Sequence, residues 1–408
     1  MKAHPGNPGH PVKIPWPTVS LGELLRLERR RVKVEPEELY QEIGIYCFGR
    51  GIFHKTPRTG FEVGDKDLFL MKEGDFILQV TFAWEGAIAI VSAEEDGMYG
   101  STRYPTFRVD ESRCIPQFLL NYFRTEGGLQ QLVKICPGSA GRNRVLSIKR
   151  IPEVLVPLPP LAEQRRVVAR IEALAAQIHE ARTLRHQAVE EAEALTGASA
   201  SQLFQECSER QPIMALAEVR GGIQKGPHRA PGANPVRYLT VAHVHRNRIL
   251  TDSPRYFEVS PDELERWRLL RGDVLIIEGN GSADQIGRTA LFRGEIENCV
   301  HQNHVIRIRP DKRRVLPEFL NTFLNSPAGQ EAVQGQSRTS SGLRSLSVGR
   351  IKSICVPVPP LSEQRRIVSE LDALQAQVDA LKRLQAETAA ELDALLPSIL
   401  DKAFKGQL

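Results

Sequence analysis

The chain has 408 residues, 41% of them hydrophobic and 25% charged, which suits two or three soluble domains with an ample core. Its longest apolar runs, such as Ala87–Val91 and Val274–Ile277, are far too short to span a bilayer, and the opening MKAHPGNPGHPVKIPWP lacks the apolar core of a signal peptide, so a cytoplasmic protein without a membrane partner is expected. Six cysteines with no Cys-x-x-Cys pair read as free thiols and speak against a zinc knuckle or disulfide framework, while a formal charge of +5 leaves room for a polyanionic partner.

Residues 1–15, rich in Pro, Gly and His without periodicity, read as a flexible arm. A first domain follows over 16–157. It opens with a short apolar helix, Leu21–Leu27, and a basic cluster at Arg29, Arg30, Arg31 and Lys33. Strand-like runs come next at Ile43–Phe48, Leu68–Met71, Phe76–Phe82 and Ala87–Val91, separated by Gly and Asp turn signals. Pro116–Leu132 predicts a helix interrupted at Gly127-Gly128, and Gly138–Arg144 a polar loop.

At Pro157 the pattern changes. Prolines stop regular structure, then apolar residues recur at steps of four and three through Val167, Ile171, Leu174, Ile178 and Ala181, a heptad seam among strong helix formers. This spacer helix is assigned to 158–204. The same stretch returns 200 residues later, with Ile367, Leu371, Leu374, Val378 and Leu381 on the seam of a second spacer over 358–408. The 33-residue blocks from Leu146 and Leu346 agree at 18 positions, so the chain is an internal duplication. Some 35 helical residues make a rod of roughly 50 Å, and a narrow seam on each predicts that the two pair. Chain geometry favours an antiparallel pair with a pseudo-twofold, because the segment between the helices then needs to close only a short gap.

Between the rods, 205–357 forms a second domain that repeats the first in order: strands at Tyr238–Val244, Val274–Ile277, Thr289–Phe292 and Val305–Ile308, a helix at Pro317–Leu324, and a polar loop at Gln336–Arg344. Outside the rods only landmarks match, such as Gly74-Asp75 with Gly272-Asp273. Residues 211–357 carry 21 Lys+Arg against 14 Asp+Glu, net +7, whereas 1–157 carry 21 against 19, net +2. Rods kept alike beside domains that diverge suit a fixed scaffold bearing two different readers, or simply the faster drift of surface-rich domains.

The polar loops, the Leu146-Ser147 and Leu346-Ser347 pairs, the helix starts PLPPLAEQRR and PVPPLSEQRR, and the terminal LPSILDKAFKGQL make the chain resemble, over nearly its whole length, the specificity (S) subunit of type I restriction-modification systems. The resemblance implies an α+β fold: two α/β target-recognition domains separated by an antiparallel pair of long helices. It implies double-stranded DNA as ligand, each domain reading half of a split target, with two methyltransferase subunits and restriction-translocase subunits as partners. S-adenosylmethionine, ATP and Mg chemistry would belong to those partners. This chain has no Asn/Asp-Pro-Pro-Tyr/Phe methyltransferase motif, no Gly-x-Gly-x-x-Gly helix start and no phosphate loop, so it reads as non-catalytic. The readings held against it are a helical adaptor that binds no DNA and a DNA-modifying enzyme with an unrecognised site.

Base edges and phosphates favour Arg, Lys, Asn, Gln, Ser and Thr. In the first domain the candidates are Arg50, His54, Lys55 and Arg58, then Arg103 and Tyr104, then Arg142, Asn143 and Arg144. In the second they are Lys225, His228 and Arg229, then His243, His245, Arg246 and Arg248, then Arg338, Thr339, Ser340 and Arg344. The duplicated Glu163, Gln164, Arg165, Arg166 and Glu363, Gln364, Arg365, Arg366 are candidates for helix starting, partner binding or domain docking. His243-x-His245 and His301–His304 lack a carboxylate or thiolate at metal-binding spacing, and Asp273 and Glu278 lack the lysine of a nuclease site, so no metal is expected.

Overall fold

A computed structural model describes residues 16–138, 144–226, 229–280, 286–336, 338–340 and 343–408; the expected arm at 1–15 lies outside them. The described residues form two compact units, one running up to Leu184 and completed by Ala386–Leu408, the other Arg185–Gln385.

The first unit is built on an antiparallel sheet of β1 (Leu25–Glu28), β2 (Phe76–Leu78), β3 (Ile88–Ile90) and β4 (Thr106–Val109), in the order β3-β2-β4-β1. The period of two sends Phe76 and Leu78 to one core, with Phe118, Leu119 and Phe123, and Ile77 to another, with Ile43, Ile45 and Val91. Both faces are covered, which is why this central strand reads as an unbroken apolar run. The predicted Leu21–Leu27 helix is instead a single 3-10 turn, Leu21–Glu23, followed by β1. Pairing with β4 along the sheet edge outweighs local helix preference there.

Two short helices, α1 (Pro116–Phe123) and α2 (Glu126–Lys134), cover the sheet. The break falls at Arg124-Thr125 rather than at the glycines. The Thr125 hydroxyl accepts from the Gly128 N–H (3.0 Å) and donates to the Tyr122 carbonyl (2.7 Å), and a Cβ on Gly128 would lie 2.1 Å from that carbonyl oxygen. The glycine permits close approach; the threonine caps the helix. The chain then enters α3 (Leu161–Gln205).

The second unit repeats the sheet with β5 (Ala217–Arg220), β6 (Val274–Ile277), β7 (Thr289–Leu291) and β8 (Val305–Pro310), ordered β7-β6-β8-β5. α4 (Pro317–Asn325) and α5 (Pro327–Gln336) follow, and Ser326 caps α5 as Thr125 caps α2, accepting from Gly329 N–H at 3.1 Å. The predicted strand Tyr238–Val244 splits into Pro235–Leu239 and Val244–His245, because Thr240–His243 makes a turn whose N–H is taken by the His243 ring. The predicted polar loop Gln336–Arg344 contains paired strands, Arg338–Ser340 and Leu343–Ser345, with Gly279–Asn280 on the free edge of the latter. The outer strands differ between units: Leu68–Leu70 between Arg31–Val32 and Tyr99–Ser101 in the first, Pro235–Leu239 between Tyr256–Glu258 and Val300–His301 in the second.

The last helix, α6 (Leu361–Phe404), and α3 have 44 and 45 residues and fill most of the assigned spacers 358–408 and 158–204; they exceed the rod of some 35 residues because they run through Pro397 and Gly197. Beyond Gly197, Ala200 and Phe204 are buried in the second unit's core; beyond Pro397, Leu400 and Phe404 are buried in the first unit's. That burial, roughly 1.5–3 kcal/mol for a large apolar side chain, offsets the local helix breakers. Within each unit the helices run antiparallel. In the first, Val167 and Ile171 share a core with Leu400 and Phe404, Arg166 donates to the Leu408 carbonyl (3.0 Å) and Arg182 pairs with Asp393 (2.7 Å). In the second, Phe204 shares a core with Ile367 and Leu371, Glu193 pairs with Lys382, and Arg185 and Gln385 each donate to the other's backbone carbonyl (2.6 and 2.9 Å).

Candidate nucleic-acid interface

The duplicated helix start turns out to combine two roles. Gln164 is fully buried: its side-chain carbonyl accepts from the Ile115 N–H (2.8 Å), and its amide donates to the carbonyls of Arg113 (2.9 Å) and Pro159 (2.8 Å). Gln364 does the same with Leu316 (2.8 Å), Arg314 (3.0 Å) and Pro359 (2.8 Å). Each glutamine therefore clamps a long helix to the entry of α1 or α4, and this placement is structural. Around them Glu163–Arg166 and Glu363–Arg366 form solvent-facing pairs at 2.8 and 2.7 Å, while Arg165 and Arg365 stay exposed with no ion-pair partner among the described residues.

In the first unit the candidate cations separate into two groups. Arg50, Arg103 and Arg144 converge on the segment Gln79–Gly86. The hairpin tip carrying Arg50 is bonded to it by Phe48 N–H to the Glu85 carbonyl and Gly49 N–H to the Gly86 carbonyl, both 2.8 Å. The Arg103 carbonyl accepts from Val80 (3.0 Å), and the Arg144 guanidinium lies 5.3 Å from the Trp84 ring centre. None of the three has an ion-pair partner among the described residues. His54, Lys55 and Arg58 point elsewhere, to acids that are nearly buried: His54 to Glu95 (3.0 Å), Lys55 to Glu42 (3.5 Å), and Arg58 to Glu42. Burial lowers the Lys55 pKa and raises that of the half-buried Tyr104, whose ring lies 5.5 Å from the Lys55 ammonium. Arg142 and Asn143 lie outside the described residues.

The second unit divides similarly. Arg229 is held bidentately by Glu263 (2.6 and 2.7 Å), and its guanidinium keeps that carboxyl at about 2. His243 is buried with both ring nitrogens engaged, Nδ1 by Thr240 and Nε2 by the Ser253 carbonyl (2.9 Å). Both hold their own loops together, and contact with an outside ligand would break those bonds. Lys225, His245, Arg246 and Arg248 are exposed, and the last three surround a hairpin turn in which Arg246 donates to Gln330 (2.9 Å). In the three-stranded ribbon, Arg344 stands in register between Thr339 and Asn280, beside Arg338 and Ser340; the side chains of Arg338, Thr339, Ser340 and Arg344, and all of His228, lie outside the described residues.

The acidic residues near these surfaces hold the framework. Asp75 accepts from Arg30 (2.6 and 3.1 Å), and Asp273 accepts from Arg309 (2.7 and 2.8 Å), each at the turn before a central strand. Glu278 is paired with His304 at 3.0 Å. Burial pulls the His301 pKa down to about 4, so its ring is neutral, and among the described residues no group of three His, Cys, Asp or Glu is placed to hold a metal. The aromatics at the first hairpin, Tyr46 and Phe48, escaped a reading aimed at cations. The glycines at 49 and 51 were the available signal of a tight turn.

The family model for the type I restriction modification DNA specificity domain matches residues 13–187 and 247–389, more than half the chain. The type I restriction enzyme EcoKI specificity subunit of Escherichia coli (strain K12) is 29% identical over 293 residues, and the StySPI specificity subunit of Salmonella potsdam is 26% identical over the same length. Both matches cover 67% of this chain but only 62% of the relative. Among solved structures, the HsdS subunit from Thermoanaerobacter tengcongensis superposes with a TM-score of 0.61 at 26% identity, covering 98% of this chain and 99% of that one. A chain from a study of complex assembly and conformational transition of the type I R-M system gives 0.69 at 25% identity, covering 98% and 100%.

Proposed function

The chain belongs to the family of type I restriction modification DNA specificity domains, and from that premise we propose that it is the non-catalytic reader of a bipartite DNA target. Each unit reads one half-site, the paired helices set the distance between halves, and methyltransferase subunits dock on the assembly and bring S-adenosylmethionine. Restriction-translocase subunits would supply the ATP- and Mg-dependent steps.

The observation that carries this reading is a repeated framework with unlike surfaces. The two units share a sheet order, a capping device and a glutamine clamp, yet present an aromatic and basic tip in one and a tip of two arginines and an asparagine in the other. Such a pair suits two different half-sites. Arg50, Arg103 and Arg144, which have no ion-pair partner among the described residues, also match the mixture of phosphate and base contacts that specific binding uses.

The test is to map modified bases in DNA exposed to the chain assembled with its methyltransferase. Two short motifs at a fixed separation, bound with strong salt dependence, are expected. One continuous motif, or modification by this chain alone with S-adenosylmethionine, would overturn the proposal.

A further inference from the structure

Resting on the DNA reading above, we infer that Phe48 is an aromatic wedge that enters the base stack of the first unit's half-site and unstacks one base step. Two costs meet at this residue. Its backbone is left-handed, with φ at +62°, a conformation that suits glycine and disfavours a bulky side chain, and the residue is 69% exposed to water. Glycine stands on either side of Arg50 at 49 and 51, so the turn itself gives no reason for a phenylalanine.

The surroundings fix the backbone and leave the ring free. Tyr46 N–H donates to the Gly51 carbonyl (2.9 Å), closing the tip, and the bonds from Phe48 and Gly49 to Glu85 and Gly86 fasten it to the neighbouring segment. Gly49 lies so close to Arg124 that a Cβ would stand 2.7 Å from its Cγ. A projecting aromatic side chain on a backbone that is already fixed suits insertion between bases, since no ordering of the turn is then needed on binding.

Charge selects the ligand. The Arg50 guanidinium sits 5.9 Å from the Phe48 ring and 5.7 Å from that of Tyr46, and Arg103 and Arg144 border the same anchoring segment. Glu85, the acid in that segment, accepts from the Cys47 thiol at 3.3 Å. An apolar ring beside Arg50, which has no ion-pair partner among the described residues, fits a stacked, negatively charged polymer better than a basic protein face. Pyrimidine–purine steps unstack most easily, so the first half-site should place one at the wedge.

The experiment uses the full chain with its methyltransferase partner and duplexes carrying 2-aminopurine at each position of the first half-site in turn. Phe48→Gly relieves the backbone strain, so folding is kept while the ring is lost; Phe48→Trp keeps a ring. Wild type and Phe48→Trp should brighten 2-aminopurine at one step distinct from the methylated base, and Phe48→Gly should abolish that signal and weaken binding by about tenfold, the scale of one lost stacking contact. The wedge is overturned if Phe48→Gly keeps both signal and affinity, or if no position responds to wild type although the duplex binds tightly. It is equally overturned if the variant weakens methyltransferase assembly while the assembled complex binds DNA normally, which would make the tip a protein contact. Failure of wild type to prefer any sequence would instead sink the DNA reading itself.

Discussion

Each unit fastens one hairpin to the connection between the central strand and its neighbour, and the two hairpins could hardly be more different. In the first unit the tip rests on Glu85-Gly86, between β2 and β3, and projects Tyr46, Phe48 and Arg50. In the second, Asn247 N–H donates to the Thr289 carbonyl (2.8 Å) at the start of β7, its side-chain oxygen accepts from Asn321 and Asn325 (2.7 Å each), and Arg246 and Arg248 flank it. Asn247 also has positive φ, at 57°, but asparagine tolerates that conformation and is locked by its amide partners, whereas Phe48 has no such compensation. The sheets must bury both faces and so converge on the same alternation. The tips bury nothing and are free to carry different chemistry.

If the framework is equivalent, the clamps should be equivalent too. Gln164→Leu would keep the side chain's bulk but leave the Ile115 N–H and two carbonyls unsatisfied, and Gln364→Leu would do the same at Leu316. At about 1–3 kcal/mol per buried unsatisfied group, each should cost roughly 3 kcal/mol or more. Hydrogen exchange should show protection lost in the mutated unit, at the start of α1 or α4, and largely kept in the other. Grossly unequal losses would break the equivalence.

The tips should behave oppositely, with effects confined to one half-site. Arg248→Ala or Arg344→Ala should weaken binding to the second half-site by about 1–3 kcal/mol if these residues touch base edges, leaving discrimination at the first half-site unchanged. Competition binding with duplexes altered in one half at a time separates the cases. Uniform weakening for all sequences would assign the arginines to phosphate.

A smaller difference concerns acid. Glu263 is held to about 2 by the Arg229 guanidinium and the Ser260 N–H, below its ordinary 4.5. A depressed carboxyl stabilises the fold above its unfolded pKa, and that contribution is lost as pH falls from about 4.5 through 2. Arg229→Ala should bring the Glu263 titration midpoint back toward 4.5, read by NMR, and loosen the loop that precedes Pro235 by about 1 kcal/mol at neutral pH. In the first unit the Thr59 N–H and hydroxyl likewise hold the Glu62 carboxyl below its ordinary value, and that device does not involve Arg229, so the first unit's own stability should not change.

Much of the framework is legible in the residues because burial writes periodicity. Phe76–Leu78, Val274–Ile277 and the seams from Val167 and Ile367 could be placed from pattern, and the antiparallel packing follows from chain economy. Helix ends were less legible: at Gly197 and Pro397 distant packing overrode local preference, and at Gly127-Gly128 the glycines serve a close approach rather than a break. The site was the least legible part. Cations cluster in sequence for two unrelated reasons, solvation of a surface and neutralisation of a nearly buried acid, and only spatial pairing tells them apart.

The stretch from Arg50 to Arg58 puts that distinction to its narrowest test. Read linearly, Arg50, His54, Lys55 and Arg58 form one basic loop, and each should contribute comparably to DNA affinity. In the fold, the last three face Glu42 and Glu95, which are 4% and 7% exposed. Lys55 and Arg58 share the one Glu42 carboxylate, so that group shows a phosphate one net positive charge, not two, and both cations are already committed to an internal acid. Lys55→Ala should therefore change DNA affinity by less than about twofold, while Arg50→Ala, which removes a cation with no ion-pair partner among the described residues, should lower it measurably and reduce the salt dependence by about one counterion. Equal losses for the two variants would mean that DNA pulls Lys55 away from Glu42, and the division between structural and free cations in the first unit would have to be redrawn.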